Sequence, residues 1–398
     1  MLAKPKNDKT KDGDRRSDLL DLVDQIGSSL AAANADDVDA QARFPGETFQ
    51  ALRDASVLSA AVPIELGGAG CGISVLAEMC TSLARHCASS GMILAMHHIQ
   101  VLAIVDHRGD VPELDDYLRD LVREQRLIAS ATSEVGTGGD LGRSIACLKT
   151  KDDRFEFEKA ATTISYGEEA DDLLVTLRRS DQAAAADQIL VLVRRDEFEL
   201  DEIGSWDTLG MRGTCSPPAI IRGEGAQWQI LGDSFRTIRN TTMVPVSHVL
   251  WAAVWIGIAT DAFDRARRVV QAQMRKDPDG STLAAAHLAS LATKLHAMQS
   301  QLESVGLRHA ERIKLGPSER EMDFGEALRA NDLKLAASEA VIEIVHQAIM
   351  VAGIAAYRNG GDSSLGRHLR DAHSAPLMIN NDRIRGANMD LLLVYKGS

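Results

Sequence analysis

The sequence lacks the residues that several large classes of protein require. Basic side chains are outnumbered: the 398 residues carry a formal charge of −13, and Lys and Arg nowhere gather into a long block. A nucleic-acid groove is therefore not expected, and the partners to expect are small molecules or further copies of the same chain. There are five cysteines, Cys71, Cys80, Cys87, Cys147 and Cys215, with no CxxC pair among them. That usage fits free thiols in a reducing, cytoplasmic compartment and offers no zinc pattern. No His-Glu-x-x-His or similar metal spacing occurs. The neighbours His97 and His98 would point about 100° apart on a helix, so they cannot share a metal; one packed and one exposed ring is expected. No run approaches eighteen apolar residues, which argues against a membrane span. GxGxxG after a strand is also missing, so a nicotinamide dehydrogenase is not expected.

What is present is an ordinary globular composition, 45% hydrophobic and 25% charged, in a chain long enough for two or three substructures around a shared site. Residues 1–16, rich in Lys, Asp and Arg, read as a disordered, solvated tail rather than a signal peptide. Residues 17–127 have helical period, with Leu19, Leu22, Val23 and Ile26 on one stripe and Pro45 opening the helix that carries Phe49, Leu52 and Val57. A glycine-rich turn, Val62 to Gly70, interrupts them. Residues 128–235 change to short apolar or alternating runs such as Phe155–Glu158, Leu173–Leu177 and Ile189–Val193, which predict a compact antiparallel β-barrel or sandwich. Residues 236–398 return to helices, with Ala252, Ile256, Ala259, Phe263 and Ala266 on one stripe and Leu333, Ala337, Ala340 and Ile344 on another. Turns at Asp277–Gly280 and Gly316–Pro317 then suggest a four-helix bundle. The predicted fold is α+β and multidomain, with two helical regions clasping a central β domain.

The chain is organised around Ala131-Thr132-Ser133-Glu134-Val135-Gly136-Thr137-Gly138-Gly139-Asp140, which follows the apolar run Leu127–Ala129. A strand delivering the chain into such a loop leaves small residues, hydroxyls and bare amides uncovered, a surface suited to the polar edge of a flat cofactor. A glycine-rich loop is also a common plain turn.

Ser133 to Asp140 resembles the flavin loop of the acyl-CoA dehydrogenase family, which reads Thr-Glu-Pro, a variable residue, then Ala-Gly-Ser-Asp. Here Ser stands for Thr, Val for Pro and Gly for Ser. Thr163-Ile164-Ser165-Tyr166-Gly167 occupies the place of the family's Trp-Ile-Thr segment, with Thr163 where the tryptophan would stack. The turn at Val62–Gly70, the segment Leu209-Gly210-Met211-Arg212-Gly213-Thr214 and the run Arg370-Asp371-Ala372 resemble three further signatures of the family. The resemblance implies FAD, held by Ala131, Thr132, Ser133, Gly138, Thr163 and Ser165, with Arg275 reaching the flavin pyrophosphate of a neighbouring subunit. It also implies a homotetramer built as a dimer of dimers, an acyl-CoA or acyl-carrier-protein substrate, a flavoprotein electron acceptor and a place in fatty acid metabolism. Arg212 and Arg275 have plain readings too, as a satisfied loop cation and as a helix C-terminal cation.

One part of the resemblance fails. In acyl-CoA dehydrogenases a glutamate nine residues after the signature arginine removes the substrate α-proton; counting nine from Arg370 reaches Ile379. Pro245 to Trp251, where some members carry the base instead, holds no carboxylate. An oriented base contributes on the order of 10²- to 10⁴-fold. The implied activity is α,β-dehydrogenation of an acyl thioester with the base unassigned. The alternatives are a two-component flavin monooxygenase on the same fold, whose histidine eight residues after the arginine is here Met378, and a catalytically silent binding paralogue. His373 is a possible substitute, though a structural role suits it as well.

Overall fold

A computed structural model describes residues 9–277, 282–314 and 323–396. Residues 1–8 of the expected tail, and most of the two turns at 277–280 and 316–317, lie outside the described residues.

The N-terminal region is helical: α1 (Lys9–Ile26), α2 (Ala32–Gln41), α3 (Gly46–Asp54), α4 (Ile73–His86), α5 (Ala88–His107) and α6 (Pro112–Glu124). The first begins inside the stretch expected to be tail, and Arg16 at its far end donates to the Gly70 carbonyl at 3.0 Å. Val23, Phe49, Leu52 and Val57 from the sequence stripes are fully buried, whereas Leu22 stays exposed. The Val62–Gly70 turn needs its glycines for steric reasons: a Cβ on Gly68 would lie 2.0 Å from the Val62 oxygen, and Gly67 and Gly70 have φ of 94° and 59°. It is a helix connection.

Seven strands follow: β1 (Ile128–Ala131), β2 (Lys149–Lys151), β3 (Arg154–Ala161), β4 (Asp172–Arg178), β5 (Gln188–Arg194), β6 (Phe198–Glu202) and β7 (Ala219–Ala226). They form two sheets, ordered β1-β4-β5 and β2-β3-β7-β6. The expectation of a wholly antiparallel domain needs one correction, because β1 runs parallel to β4, pairing Ile128 with Asp172 and Ala131 with Val175. A parallel pair requires a long crossover, and the chain between these strands supplies it while carrying the site loop and the β2–β3 hairpin. The sheets face each other as an open sandwich. Leu173–Leu177 and Ile189–Val193 are buried on both faces, which explains their unbroken apolar runs.

The C-terminal region opens on one continuous helix, Phe235–Lys276, made of α7 (Phe235–Ile238), a π-turn over Arg239–Met243 and α8 (Val244–Lys276). It continues through α9 (Thr282–Ile313), α10 (Phe324–Ala352), α11 (Ile354–Tyr357), α12 (Gly366–Ala372) and α13 (Asn381–Val394). Helix α8 is the spine of the molecule: α4 packs on one side of it and α9 and α10 on others, while α13 lies along α10. Among the described residues three helices, Ala88–His107, Phe235–Lys276 and Phe324–Ala352, are long and apolar enough to cross a membrane, contrary to the expectation from uninterrupted runs. Their apolarity has another cause in two cases, since 89% of each apolar window of the first two is buried inside the fold.

Candidate functional site

The loop after β1 is pinned by its own glutamate. Glu134 is buried, and its carboxylate accepts from the Ser144 hydroxyl at 2.6 Å and from the amides of Ile145 and Ala146 at 3.0 and 2.5 Å. Residues 135–143 are thereby looped out from a fixed base. Gly136, Gly138 and Gly139 have φ of 89°, 61° and 78°, a run that side-chain-bearing residues adopt poorly. Beneath the loop the Lys159 ammonium, fully buried, donates to the carbonyl and hydroxyl of Thr176, both at 2.7 Å, and lies 3.8 Å from Glu134. Burial pushes the Lys159 pKa down to about 8, and the Glu134 charge opposes that fall.

The strand edge expected to face this loop does so. Ser133 Oγ donates to the Thr163 carbonyl at 3.0 Å and accepts from the Thr163 amide at 3.2 Å. Ser216 Oγ donates to Ser165 Oγ at 2.9 Å, and Thr214 Oγ1 lies 2.9 Å from Ser216 Oγ. The backbone here is strained: Tyr166, Met211 and Cys215 have φ of 44°, 51° and 43°. Tyr166 is held in that state by its amide on the carbonyls of Thr214 and Cys215, and by its buried hydroxyl on the Ile128 carbonyl.

This strand edge borders an open cleft. Thr132, Ser133, Thr163 and Ser165 line it, together with Ser130, Tyr166 and Leu141. Helix α5 contributes Met96, Ile99 and Gln100, and the continuous C-terminal helix contributes Phe235, Arg239, Met243, Val244, Ser247 and Trp251. The π-turn falls where that helix meets the cleft, and it sets Arg239 and Met243 against the same space.

Ile379 is the remaining lining residue, at the position where the resemblance would put a catalytic glutamate. Its φ is 46°, an outlying conformation for a β-branched residue. Lys334 holds it there: the fully buried ammonium donates to the carbonyls of Ile379 at 2.8 Å and Ala375 at 3.3 Å, and to Asn381 Oδ1 at 2.6 Å. Burial pushes the Lys334 pKa down to about 8. No Asp or Glu lines the cleft among the described residues.

The other expected site residues lie outside. Ala131 is buried at the end of β1, behind the hydroxyls. Gly138 is at the exposed crest of the loop, where its carbonyl accepts from Arg383. Arg275 is exposed on the last turn of α8, far along the helix from Trp251. The expectation of one packed and one exposed histidine is corrected, because His97 and His98 are both fully buried. His97 accepts from the Ile128 amide and bonds the Leu58 carbonyl, tying α5 to β1, and burial holds its pKa down at about 4. His373 is exposed and does not line the cleft. Arg212 is satisfied by the carbonyls of Asp39 and Thr208 and by Asp207. The Arg370-Asp371-Ala372 segment clamps the three regions together: Arg370 pairs with Asp39, and Asp371 accepts from the Met211 amide at 2.7 Å. Burial raises the Asp371 pKa to about 6, against the pull of Arg367. Sequence reasoning missed Gln100, Arg239 and Trp251; the readable signal was the spacing of Arg239, Met243, Ser247 and Trp251, one stripe at intervals of four.

Comparison with known proteins agrees with this architecture. Residues 14–125 match the acyl-CoA dehydrogenase N-terminal domain and residues 249–380 the acyl-CoA dehydrogenase C-terminal domain. An amino sugar nitrososynthase of Streptomyces peucetius is 24% identical over 370 residues, covering 90% of this chain and 88% of its own. The human mitochondrial short-chain specific acyl-CoA dehydrogenase is 27% identical over 354 residues, covering 87% and 82%. The FMN-bound crystal structure of the dibenzothiophene monooxygenase TdsC from Paenibacillus sp. A11-2 superposes with a TM-score of 0.82 at 19% identity, covering 94% of this chain and 97% of that one.

Proposed function

Because the chain belongs to the acyl-CoA dehydrogenase family, we propose that it is a flavin-dependent oxidoreductase whose cleft favours oxygenation of its substrate over α,β-dehydrogenation. The observation that carries this choice is the wall at Ile379: the cleft has no carboxylate among the described residues, and the position of the family's base is an apolar side chain on a strained backbone. An α-C–H next to a thioester is a weak acid, and its removal without an oriented base forgoes on the order of 10²- to 10⁴-fold. Oxygen transfer has no such requirement. The nitrososynthase among the relatives and the monooxygenase among the similar structures support the same reading.

The residues present fit a flavin. The cleft is open and partly apolar, and one wall offers the hydroxyls of Ser130, Thr132, Ser133, Thr163 and Ser165. Ser133, Thr163 and Ser165 would hold the ring's polar edge, with Thr132 beside them. No aromatic stacks from position 163, but Phe235, Tyr166 and Trp251 reach the cleft from other elements. A flavin bound there supplies two-electron chemistry, either taking hydride from a substrate or, in reduced form, delivering electrons to dioxygen. The protein's own contribution is to orient the ring through the Ser133–Thr163 exchange, to exclude water with Met96, Ile99 and Met243, and to keep a carboxylate away from the reacting atoms.

Dehydrogenation of an acyl thioester is retained as a second reading because the human short-chain enzyme aligns along most of both chains. Two measurements divide them. Flavin titration should produce a coloured complex, and a panel of acyl-CoAs under argon should leave its visible absorbance unbleached. Rapid bleaching would overturn oxygenation in favour of dehydrogenation, and failure to bind either FAD or FMN would leave the silent paralogue. Assembly as a homo-oligomer is supported by exposed apolar residues on the last helices, including Met350 on α10 and Leu392 and Leu393 on α13, which are 70%, 60% and 80% exposed.

A further inference from the structure

The cleft contains more polar capacity than its own residues use. Arg239 projects into it from the π-turn, half-buried, and makes no ion pair among the described residues. Its Nε donates to the neighbouring Asn240 Oδ1 at 3.1 Å, which leaves the two terminal nitrogens of the guanidinium free of hydrogen bonds among the described residues. Gly142 makes room for it: a Cβ there would lie 3.2 Å from Arg239 Nη1. The Asp140 carboxylate, whose charge acts on it through space, spends one oxygen on the Gly142 amide at 2.8 Å. Gln100, which lines the same cleft from α5, is 3% exposed, yet its Oε1 has no hydrogen-bond partner among the described residues. Its amide nitrogen makes one long bond to the Met96 carbonyl at 3.3 Å. A desolvated guanidinium with unbonded nitrogens and a buried acceptor without a donor both carry a cost that a bound molecule would remove.

We infer that Arg239 anchors an anionic group, a carboxylate or a phosphate, on the substrate, while Gln100 takes a hydrogen bond from a hydroxyl or N–H of the same molecule. This deepens the proposed function and rests on it for the identity of the ligand as substrate. Arg239 suits the role because a guanidinium offers paired N–H groups to a planar carboxylate or a phosphate. The stripe from Arg239 to Trp251 spans roughly 18 Å at the helical rise. Beyond the charged end the C-terminal helix adds Met243 and Val244 to the lining, and α5 adds Met96 and Ile99. The ligand class is thus an acidic molecule with an apolar body and one internal hydrogen-bond donor.

The test uses the full chain, with and without FMN, in calorimetric titrations with hexanoate and hexyl phosphate against hexanamide and hexanol. In the native chain the anions should bind about tenfold to a hundredfold tighter than the neutral molecules, and added salt should erode that margin. Arg239→Met should abolish the margin while leaving the neutral ligands unchanged, and Arg239→Lys should keep part of it. Equal binding of anions and neutrals by the native chain would overturn the inference, as would a margin that survives Arg239→Met. The salt dependence of the native chain keeps the test decisive if the methionine variant folds poorly. The cofactor's own phosphate is the competing anion: if Arg239→Met weakens FMN and leaves both riboflavin and hexanoate unaffected, the arginine serves the cofactor and the substrate assignment is overturned. Failure of FMN and riboflavin alike would sink the proposed function, and the flavin-free titrations would still judge the anion site.

Discussion

Ser133 and Thr163 exchange hydrogen bonds in both directions, hydroxyl to carbonyl at 3.0 Å and amide to hydroxyl at 3.2 Å, so the site loop is fastened to the strand edge at the wall of the cleft. Removing that hydroxyl leaves a backbone donor and an acceptor to find water at the place assigned to the flavin edge. Ser133→Ala should weaken flavin binding by about 1 kcal/mol, roughly fivefold, with little change in global stability. Flavin titration followed by fluorescence measures the first and urea denaturation the second. An unchanged affinity would show that the cofactor lies elsewhere.

Glu134 has a structural task that its place in a glycine-rich loop conceals. Glu134→Ala removes the acceptor for two amides and one hydroxyl and leaves the buried Lys159 without its carboxylate. A loss of about 3 kcal/mol is expected, with Glu134→Gln milder. The combination of Glu134→Gln with Lys159→Met should be less damaging than the sum of the single changes, because the uncompensated charge is gone. Strict additivity in chemical denaturation would refute the coupling.

Asp371 gives the fold a pH dependence whose sign is fixed by its burial. Its pKa in the folded state is about 6, above the ordinary 3.8 of an aspartate. A raised folded-state pKa means that the contribution to stability is full below the ordinary value and is lost as pH rises through about 6. Asp371→Asn keeps an acceptor for the Met211 amide and removes the titration. The variant should lose that component of the pH profile, an effect of at most roughly 3 kcal/mol. Urea midpoints at acidic, mildly acidic and neutral pH decide the matter; parallel profiles for the two proteins would contradict it.

Gly210 tests how tightly the Arg370-Asp371 clamp is packed. A Cβ there would sit 2.2 Å from the Arg370 carbonyl oxygen, so Gly210→Ala must displace the clamp and should cost about 1–3 kcal/mol. Gly72→Ala is the control, since nothing lies within 4 Å of the added carbon and φ at Gly72 is −76°. Equal melting temperatures for the two variants would mean that the segment yields without penalty.

Ile379 permits a gain-of-function experiment. A glutamate lacks the branched Cβ that makes φ of 46° hardest to hold, so Ile379→Glu should be tolerated by the backbone. Facing the cleft, it should speed bleaching of bound flavin by acyl-CoAs at least tenfold, toward the range of about 10²–10⁴ for an oriented base. Identical rates before and after the change would show that position 379 has no access to the substrate α-carbon.

Much of the architecture was legible because it follows from period. The helical stripes through Phe49 and Leu52, and through Ala252 and Ile256, are buried as their spacing requires, and the unbroken runs at 173–177 and 189–193 are strands covered on both faces. The parallel pairing of β1 with β4 was not legible, since four residues of strand carry no sign of their partner's direction. At the site, Thr132, Ser133, Thr163 and Ser165 were found by motif and meet at one wall. Gln100, Arg239 and Trp251 were not: Gln100 and Trp251 sit on helices whose neighbouring residues are core, and Arg239 sits in a mostly polar turn, so no local pattern marks the cavity they share. The paired histidines misled for a related reason: α5 is buried nearly all round, so adjacent positions both face protein.

The π-turn at Arg239–Met243 holds one residue more than a regular helical turn needs. Deleting a single residue there would re-register everything upstream by about 100° and swing Arg239 off the cavity while leaving the downstream core untouched. A chain that can be rewired by so small an excision carries its ligand preference in helix phase as much as in side-chain identity, and related proteins that differ by one residue at this bend would be expected to accept different molecules without any change in their interior.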